Sequence, residues 1–206
     1  MKKNLERCIS ALTIGGSDSC GGAGIQADLK TFQNFSVHGA SVITCVTAQN
    51  SLGVIHVESI SCGSVSKQIE AVLSDLMIPA LKTGMLYSSE TIKTVADALR
   101  LFNRPIVVDP AMVSRAGSKL LSSNTVKTYQ EYLFPLTTLL TLNIHEASLL
   151  TGHKINNKED IEHAAQHLLK QGPKSLLVKG GGLPDLAGQD YFCTSNYFSE
   201  WKSHLA

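Results

Sequence analysis

The sequence lacks the features that mark membrane, secreted and nucleic-acid-binding proteins. No apolar run approaches the ~18 residues that a bilayer-spanning helix needs, and the basic start at Met1–Arg7 leads into no signal-peptide core. Neither sign of charge is in excess, since 18 basic and 17 acidic residues give a net charge of +1. We therefore expect a cytoplasmic protein that binds a small molecule, with no nucleic-acid partner and no membrane partner.

Cysteine pairs of the CxxC type are also missing, and the number of cysteines is odd. The five are Cys8, Cys20, Cys45, Cys62 and Cys193. This pattern argues against a disulfide framework and a zinc knuckle, and it favours a reducing compartment. His163 and His167 stand four residues apart without a third ligand in view, so we interpret them as part of a solvated helix face.

Apolar, strand-like runs alternate with helical patterns along most of the chain. The predicted strands lie near residues 8–14, 40–46, 80–84, 106–109, 139–142 and 176–179. Apolar stripes at helical spacing lie near residues 69–76, 92–99 and 161–169. This alternation predicts an α/β protein, a single domain over residues 1–206 with a mainly parallel sheet covered on both faces. Residues 189–201 are expected to form a β-hairpin around Thr194-Ser195-Asn196.

The segment from Gly15 to Asp28, GGSDSCGGAGIQAD, joins the first predicted strand directly to a helix. Glycine allows the backbone to approach a ligand closely, and free N–H groups at a helix start attract partial negative charge. The Walker and dinucleotide motifs both fail to match here. We interpret the segment as a ligand-binding loop, and a purely structural turn is the alternative.

Further polar residues follow the other predicted strands, where an open parallel sheet binds its ligands. Gln49 could pair with a heterocycle through one donor and one acceptor, or belong to a turn rich in Asn and Ser. Met85 could pack on a ring or in the core. Asp109 and Glu146 suit a Mg²⁺ ion that bridges to phosphates. Alternatively, Asp109 caps a turn and Glu146 is a first-turn acid favoured by the helix dipole.

Lys179 precedes three glycines and could place its ammonium group near phosphate oxygens. A glycine-rich surface loop is the alternative interpretation.

Taken together, the blocks GGSDSCGGAGIQADLKTF, VTAQNSLGV, KTGML, VVDPAM and LVKGG resemble the hydroxymethylpyrimidine kinase / phosphomethylpyrimidine kinase family of thiamine biosynthesis. This resemblance implies a three-layer α/β/α ribokinase-like fold. It also implies ATP-dependent phosphorylation of 4-amino-5-hydroxymethyl-2-methylpyrimidine and then of its monophosphate. Homodimers are usual among such relatives.

The resemblance also assigns roles to residues of this chain. Asp109 and Glu146 would bind Mg²⁺ and its waters, and Asn143 and Lys179 would bind the phosphates of ATP. The residues that would contact the pyrimidine are Gly16, Ala23, Asp28, Gln49, Met85 and Ala111.

One departure from the family pattern concerns catalysis. Family members continue into a Gly-Thr-Gly-Cys loop that forms the anion hole, and these 206 residues contain no such segment. We therefore expect a C-terminally truncated kinase domain without an identified catalytic residue, and Cys193 does not take that role. Weak or absent turnover is expected. The alternatives are a catalytically silent remnant that binds a pyrimidine or a pyridoxine-like ring, and a truncated product that folds poorly.

Overall fold

The computed structural model describes residues 9–112 and 123–202, so the predicted strand start at Cys8 lies outside the described residues. The chain divides into two compact units, Met1–Ile106 and Val107–Ala206. Each unit is an arrangement of helices on β-strands and is considered by itself.

The first unit contains a sheet with the strand order β3-β2-β1-β4. Strand β1 runs parallel to both β2 and β4, whereas β3 is antiparallel to β2. The elements are β1 (Ser10–Asp18), α1 (Gly24–Asn34), β2 (His38–Asn50), β3 (Gly53–Ser59), α2 (Cys62–Asp75), β4 (Leu81–Thr83) and α3 (Ser89–Leu99).

Apolar side chains of the strands form the core of this unit together with the helices. Leu12, Ile14 and Val42 are fully buried, and helix α1 packs on β1 and β2 while α2 packs on α3. The hydroxyl groups of Ser61 and Ser88 cap the starts of α2 and α3 by accepting backbone N–H groups, a stabilising use of serine at a helix start.

The second unit contains strands in the order β5-β6-β7-β8-β9. Strands β5, β6 and β7 run parallel, whereas β8 and β9 are antiparallel to their neighbours. The elements are β5 (Ile106–Val108), α4 (Ser123–Thr128), β6 (Leu139–Asn143), α5 (Ile144–Thr151), α6 (Lys158–Leu169), β7 (Ser175–Lys179), β8 (Gln189–Thr194) and β9 (Tyr197–Lys202). A π-helical turn, Tyr129–Leu133, and three short 3-10 helices, Phe134–Leu136, Gly180–Gly182 and Pro184–Leu186, complete it.

The predicted strands and helical stripes are confirmed, and so is the hairpin, in which Thr194 pairs with Tyr197 across a two-residue turn. Two differences have physical reasons. Strand β1 continues to Asp18, so Gly15 and Gly16 are buried strand residues and the loop begins at Ser19. Strand β3 was not predicted because none of its residues is buried, and an exposed strand needs no alternating apolar pattern.

The described helices are all too short or too polar to cross a membrane. His163 and His167 lie exposed on helix α6, as predicted for a solvated helix face.

Candidate functional site

The glycine-rich loop between β1 and α1 is organised by the carboxylate of Asp18, whose residue is only 4% exposed. One oxygen accepts the backbone N–H of Cys20 at 2.8 Å, and the other accepts those of Gly22 at 3.0 Å and Ala23 at 2.8 Å. The backbone carbonyl of Asp18 accepts the N–H of Gly21. The last residue of β1 therefore occupies three N–H groups of the loop, and the expected free N–H groups at the start of α1 stay a prediction.

Close packing explains two of the glycines. A Cβ on Gly24 would lie 2.3 Å from the carbonyl oxygen of Gly16, and Gly24 has a φ of +56°. A Cβ on Gly16 would lie 2.9 Å from Sγ of Cys45 and 3.0 Å from Cε of Met85. The distances to the Gly16 oxygen and to Sγ of Cys45 are shorter than real Cβ contacts, and the distance to Cε of Met85 is tight. The start of α1 therefore contacts β1 closely, and Met85 lies directly beside Gly16.

Gln49 lies near the end of β2 and is bound to the loop through its backbone. The hydroxyl of Ser19 accepts the N–H of Gln49 and donates to its carbonyl oxygen, both at 2.8 Å. The side-chain oxygen of Gln49 lies 3.4 Å from the hydroxyl of Thr47. Its side-chain nitrogen makes no hydrogen bond within residues 9–112 and 123–202, so it is free to donate to a ligand.

Asp28, on helix α1, lies largely buried against two strands. Its carboxylate accepts hydrogen bonds from Nζ of Lys82 at 2.6 and 2.8 Å and from the hydroxyl of Thr13 at 2.6 Å. Charged hydrogen bonds of this length are among the stronger polar contacts in proteins. Asp28 thus fixes α1 to β1 and β4, and its predicted contact with a pyrimidine stays a prediction.

Met85 follows β4 and is half-buried, with its backbone carbonyl accepting the hydroxyl of Thr44 at 2.8 Å. The structure thus brings together, within the first unit, Gly16, the loop that ends at Ala23, Gln49 and Met85. Ala23 is exposed and precedes the first residue of α1.

In the second unit, Glu146 is only 2% exposed and binds two separate backbone segments. One oxygen accepts the N–H of Met112 at 3.0 Å, and the other accepts the N–H of Asn143 at 2.9 Å. The side-chain oxygen of Asn143 accepts the N–H of Glu146 at 2.8 Å, which completes a capping box at the start of α5. Burial raises the pKa of the Glu146 carboxyl, and the nearby charge of Asp109 adds to this effect, whereas the hydrogen bonds and Lys179 oppose it. The alternative of a first-turn acid thus describes Glu146 well.

Asp109 and Lys179 lie at the ends of β5 and β7, with Nζ 3.9 Å from the carboxylate. Both side chains are partly exposed, and Asp109 accepts no hydrogen bond from any other described residue. Ala111, two residues beyond Asp109, has a φ of +45°, which is uncommon for a residue with a side chain. This turn directs the N–H of Met112 to Glu146.

Cys193 is fully buried in β8, and burial raises its pKa to about 12, with a smaller contribution from Glu162. A thiol of this kind is neutral at ordinary pH and is not a nucleophile, which agrees with leaving Cys193 out of the catalytic residues.

Sequence reasoning missed three residues that organise this site: Asp18, Ser19 and Lys82. For Asp18 a signal existed, because an Asp followed within five residues by two glycines is typical of a turn built on side-chain acceptance of backbone N–H groups. No local signal marks Lys82, which meets Asp28 from 54 residues away.

In each unit, polar side chains gather where parallel strands end, and this arrangement defines the class of α/β proteins that bind small ligands at strand ends. Residues 18–206 match the model of the phosphomethylpyrimidine kinase family. The chain therefore belongs to that family.

Individual relatives agree with this assignment. The chain is 48% identical to the hydroxymethylpyrimidine/phosphomethylpyrimidine kinase of Synechococcus elongatus, over 88% of this chain and 70% of that protein. It is 46% identical to the enzyme of the same name from Bacillus subtilis, over 85% of this chain and 65% of that protein. The chain thus spans about two thirds of the length of these relatives.

Solved structures confirm the α/β fold. The phosphomethylpyrimidine kinase of Clostridium difficile superimposes with a TM-score of 0.88 at 45% identity, covering 95% of this chain and 84% of that one. A pyridoxal kinase of Staphylococcus aureus, solved with AMP-PCP, gives a TM-score of 0.83 at 33% identity, covering 94% of this chain and 71% of that one.

Proposed function

We propose that this protein phosphorylates 4-amino-5-hydroxymethyl-2-methylpyrimidine, and then its monophosphate, with ATP as the donor. The observation that carries this proposal is the family match over residues 18–206. That match runs through both compact units, which supports treating residues 1–206 as parts of one kinase domain.

In the proposed reaction the first unit binds the pyrimidine. Met85 lies beside Gly16, and its thioether suits an aromatic ring. Gln49 offers a donor and an acceptor that match the edge of an aminopyrimidine. Because both oxygens of Asp28 already accept hydrogen bonds from Lys82 and Thr13, Asp28 would contact the substrate through its remaining lone pairs. Ala23 completes the proposed substrate contacts of the first unit, and the contact of Ala111 with the substrate stays a prediction.

The second unit carries the groups proposed for ATP and Mg²⁺. No cluster of three or more histidine, cysteine or acidic side chains is found in the described parts of the chain. Asp109 alone suits Mg²⁺, since this ion commonly takes one or two protein carboxylates and keeps several waters. The ion would supply charge neutralisation at the phosphates. Glu146, bound to two backbone N–H groups, holds the segment next to Asp109 and adds negative charge.

Lys179 and Asn143 would bind the phosphates of ATP. Lys179 is partly exposed and supplies a positive charge, and the side-chain nitrogen of Asn143 makes no hydrogen bond within residues 9–112 and 123–202. Positioning and charge neutralisation provide most of the catalysis in phosphoryl transfer.

The likeness to pyridoxal kinases favours a second candidate, in which the same first-unit residues accept a pyridoxine-like alcohol. The two candidates share the ATP groups and differ in the ring that Gln49 and Met85 would contact.

The test measures ADP formation by the purified chain with Mg²⁺ and ATP, with either the pyrimidine or pyridoxine as acceptor. We expect at most weak pyrimidine-dependent turnover, which Asp109→Asn should abolish and which Asp185→Asn, an exposed control of the same chemistry, should leave unchanged. Turnover with pyridoxine alone would establish the second candidate. Calorimetric binding of the pyrimidine without turnover would instead identify a silent binding protein, and the absence of binding would refute the proposed pocket.

A further inference from the structure

We infer that Ser19 is a positioning residue that sets Gln49 for recognition of a neutral heterocycle. This inference rests on the proposed function and adds to it a residue for which the family resemblance gives no role.

The hydroxyl of Ser19 binds β2 just beyond the point where the backbone pairing of β1 and β2 ends. The last paired residues are Asp18 and Thr47, after which the chain turns away from the sheet. The Ser19 hydroxyl then both accepts from the N–H of Gln49 and donates to its carbonyl oxygen, each at 2.8 Å. A hydroxyl group can donate and accept through a single oxygen atom, so Ser19 continues the contact between β1 and β2 by one residue through its side chain.

On its other side, Gln49 is held less firmly. Its pairing partner across β2 and β3 is Val54, and the register shifts between Ala48 and Gln49, so that Ile55 is an extra residue on β3. A bulge of this kind interrupts the ladder and re-aims a side chain. The hydrogen bonds to Ser19 therefore hold the backbone of Gln49 at the point where the pairing of β2 with β3 is irregular.

The side chain of Gln49 has one weak contact, with the hydroxyl of Thr47. The Thr47 hydroxyl has one proton and lies 3.0 Å from the carbonyl oxygen of Ser17 but 3.4 Å from the Gln49 amide. The shorter contact is the better hydrogen bond. The direction of the Gln49 amide thus follows from the position of its backbone, which Ser19 fixes.

The loop that carries Ser19 is held by the carboxylate of Asp18. Asp18 binds the N–H groups of Cys20, Gly22 and Ala23, so these three donors are not available to a ligand. A planar ring with adjacent donor and acceptor atoms, such as an aminopyrimidine, suits the remaining free amide of Gln49.

The experiment measures binding of the hydroxymethylpyrimidine by calorimetry, and KM for ATP, in the full chain. Ser19→Ala is expected to weaken pyrimidine binding about tenfold, the equivalent of one net hydrogen bond, with KM for ATP unchanged. Ser19→Thr keeps the hydroxyl and is expected to restore binding to within about twofold. Ser74→Ala, which removes an exposed hydroxyl bonded to the carbonyl of Ala71, is the control without effect.

A double variant separates positioning from general stability. With Gln49→Ala already present, Ser19→Ala should weaken binding by less than about twofold more, because no side chain remains to be positioned. Amide hydrogen exchange at Gln49 should be faster in Ser19→Ala than in the unmodified protein and slow again in Ser19→Thr.

The inference is overturned if Ser19→Ala binds the pyrimidine as tightly as the unmodified protein, or if its effect is equally large with and without Gln49. An unmodified chain that binds no pyrimidine would overturn the proposed function, and the inference with it.

Discussion

Replacing Asp18 by Asn tests whether the carboxylate holds the glycine-rich loop. The two side chains have nearly the same shape, so the change alters charge and hydrogen bonding while leaving volume almost constant. The carboxylate accepts three backbone N–H groups at 2.8–3.0 Å. An Asn can keep its oxygen toward Gly22 and Ala23, but its NH₂ group then faces the N–H of Cys20, and two donors oppose each other.

The magnitude follows from these contacts. A hydrogen bond to a charged group contributes about 1.5–3 kcal/mol and a neutral one about 1 kcal/mol. In Asp18→Asn the hydrogen bond from Cys20 to a charged acceptor is lost, and those from Gly22 and Ala23 become bonds to a neutral acceptor. Gly22 and Ala23 are exposed, so water compensates part of this loss. We expect the free energy of unfolding to fall by about 3 kcal/mol, a large fraction of the 5–15 kcal/mol typical of a domain.

Urea denaturation followed by circular dichroism measures this change. With a slope of about 2 kcal/mol per molar urea, the midpoint should fall by about 1.5 M while the slope stays constant. Asp97→Asn is the matched control, because Asp97 is exposed and pairs with Arg100, the residue that follows helix α3, and its effect should be below about 0.5 kcal/mol. Equal midpoints for the two variants would refute the proposed role of Asp18.

Two further predictions concern a glycine and a buried acid. Gly24→Ala should destabilise the protein by several kcal/mol, since its Cβ would lie 2.3 Å from the Gly16 oxygen, whereas Gly63→Ala, with open space at its Cβ, should be neutral or stabilising by up to about 1 kcal/mol; equal thermal melting points would contradict this. Because the folded-state pKa of Glu146 is raised, its contribution to stability is fully present below the unfolded pKa and declines as pH rises through the folded value. Urea unfolding from pH 4 to 8 should therefore show the stability of the unmodified protein falling relative to Glu146→Gln as pH rises, and a constant difference would be inconsistent with the raised pKa.

Much of the fold could be predicted from local pattern. The apolar runs that became β6 and β7 are buried strands and could be recognised without a structure. Strand β3 could not, because it is held by pairing with β2 and buries no side chain of its own. The end of β1 was misplaced for a related reason: glycine is typical of turns, yet Gly16 lies in a strand where a Cβ would come within 2.9 Å of Sγ of Cys45.

For the candidate site, the sequence identified polar residues at strand ends and left open what each one does. The spacing of Asn143 and Glu146 is that of a capping box, and the structure forms one. The second contact of Glu146, with the N–H of Met112, joins positions 34 residues apart. The spacing in the sequence indicates the capping box, whereas no local pattern indicates the contact of Glu146 with Met112.

The sequence by itself determined the α/β class, the family and the set of candidate residues, because periodicity and motif blocks are local properties of a chain. The tertiary structure alone decided which acidic groups are already occupied by the protein's own donors. Asp18, Asp28 and Glu146 are satisfied internally, whereas the carboxylate of Asp109 accepts no hydrogen bond from another described residue. The physical reason is that a hydrogen bond depends on distance in space, and Lys82 reaches Asp28 across 54 residues that carry no sign of the contact.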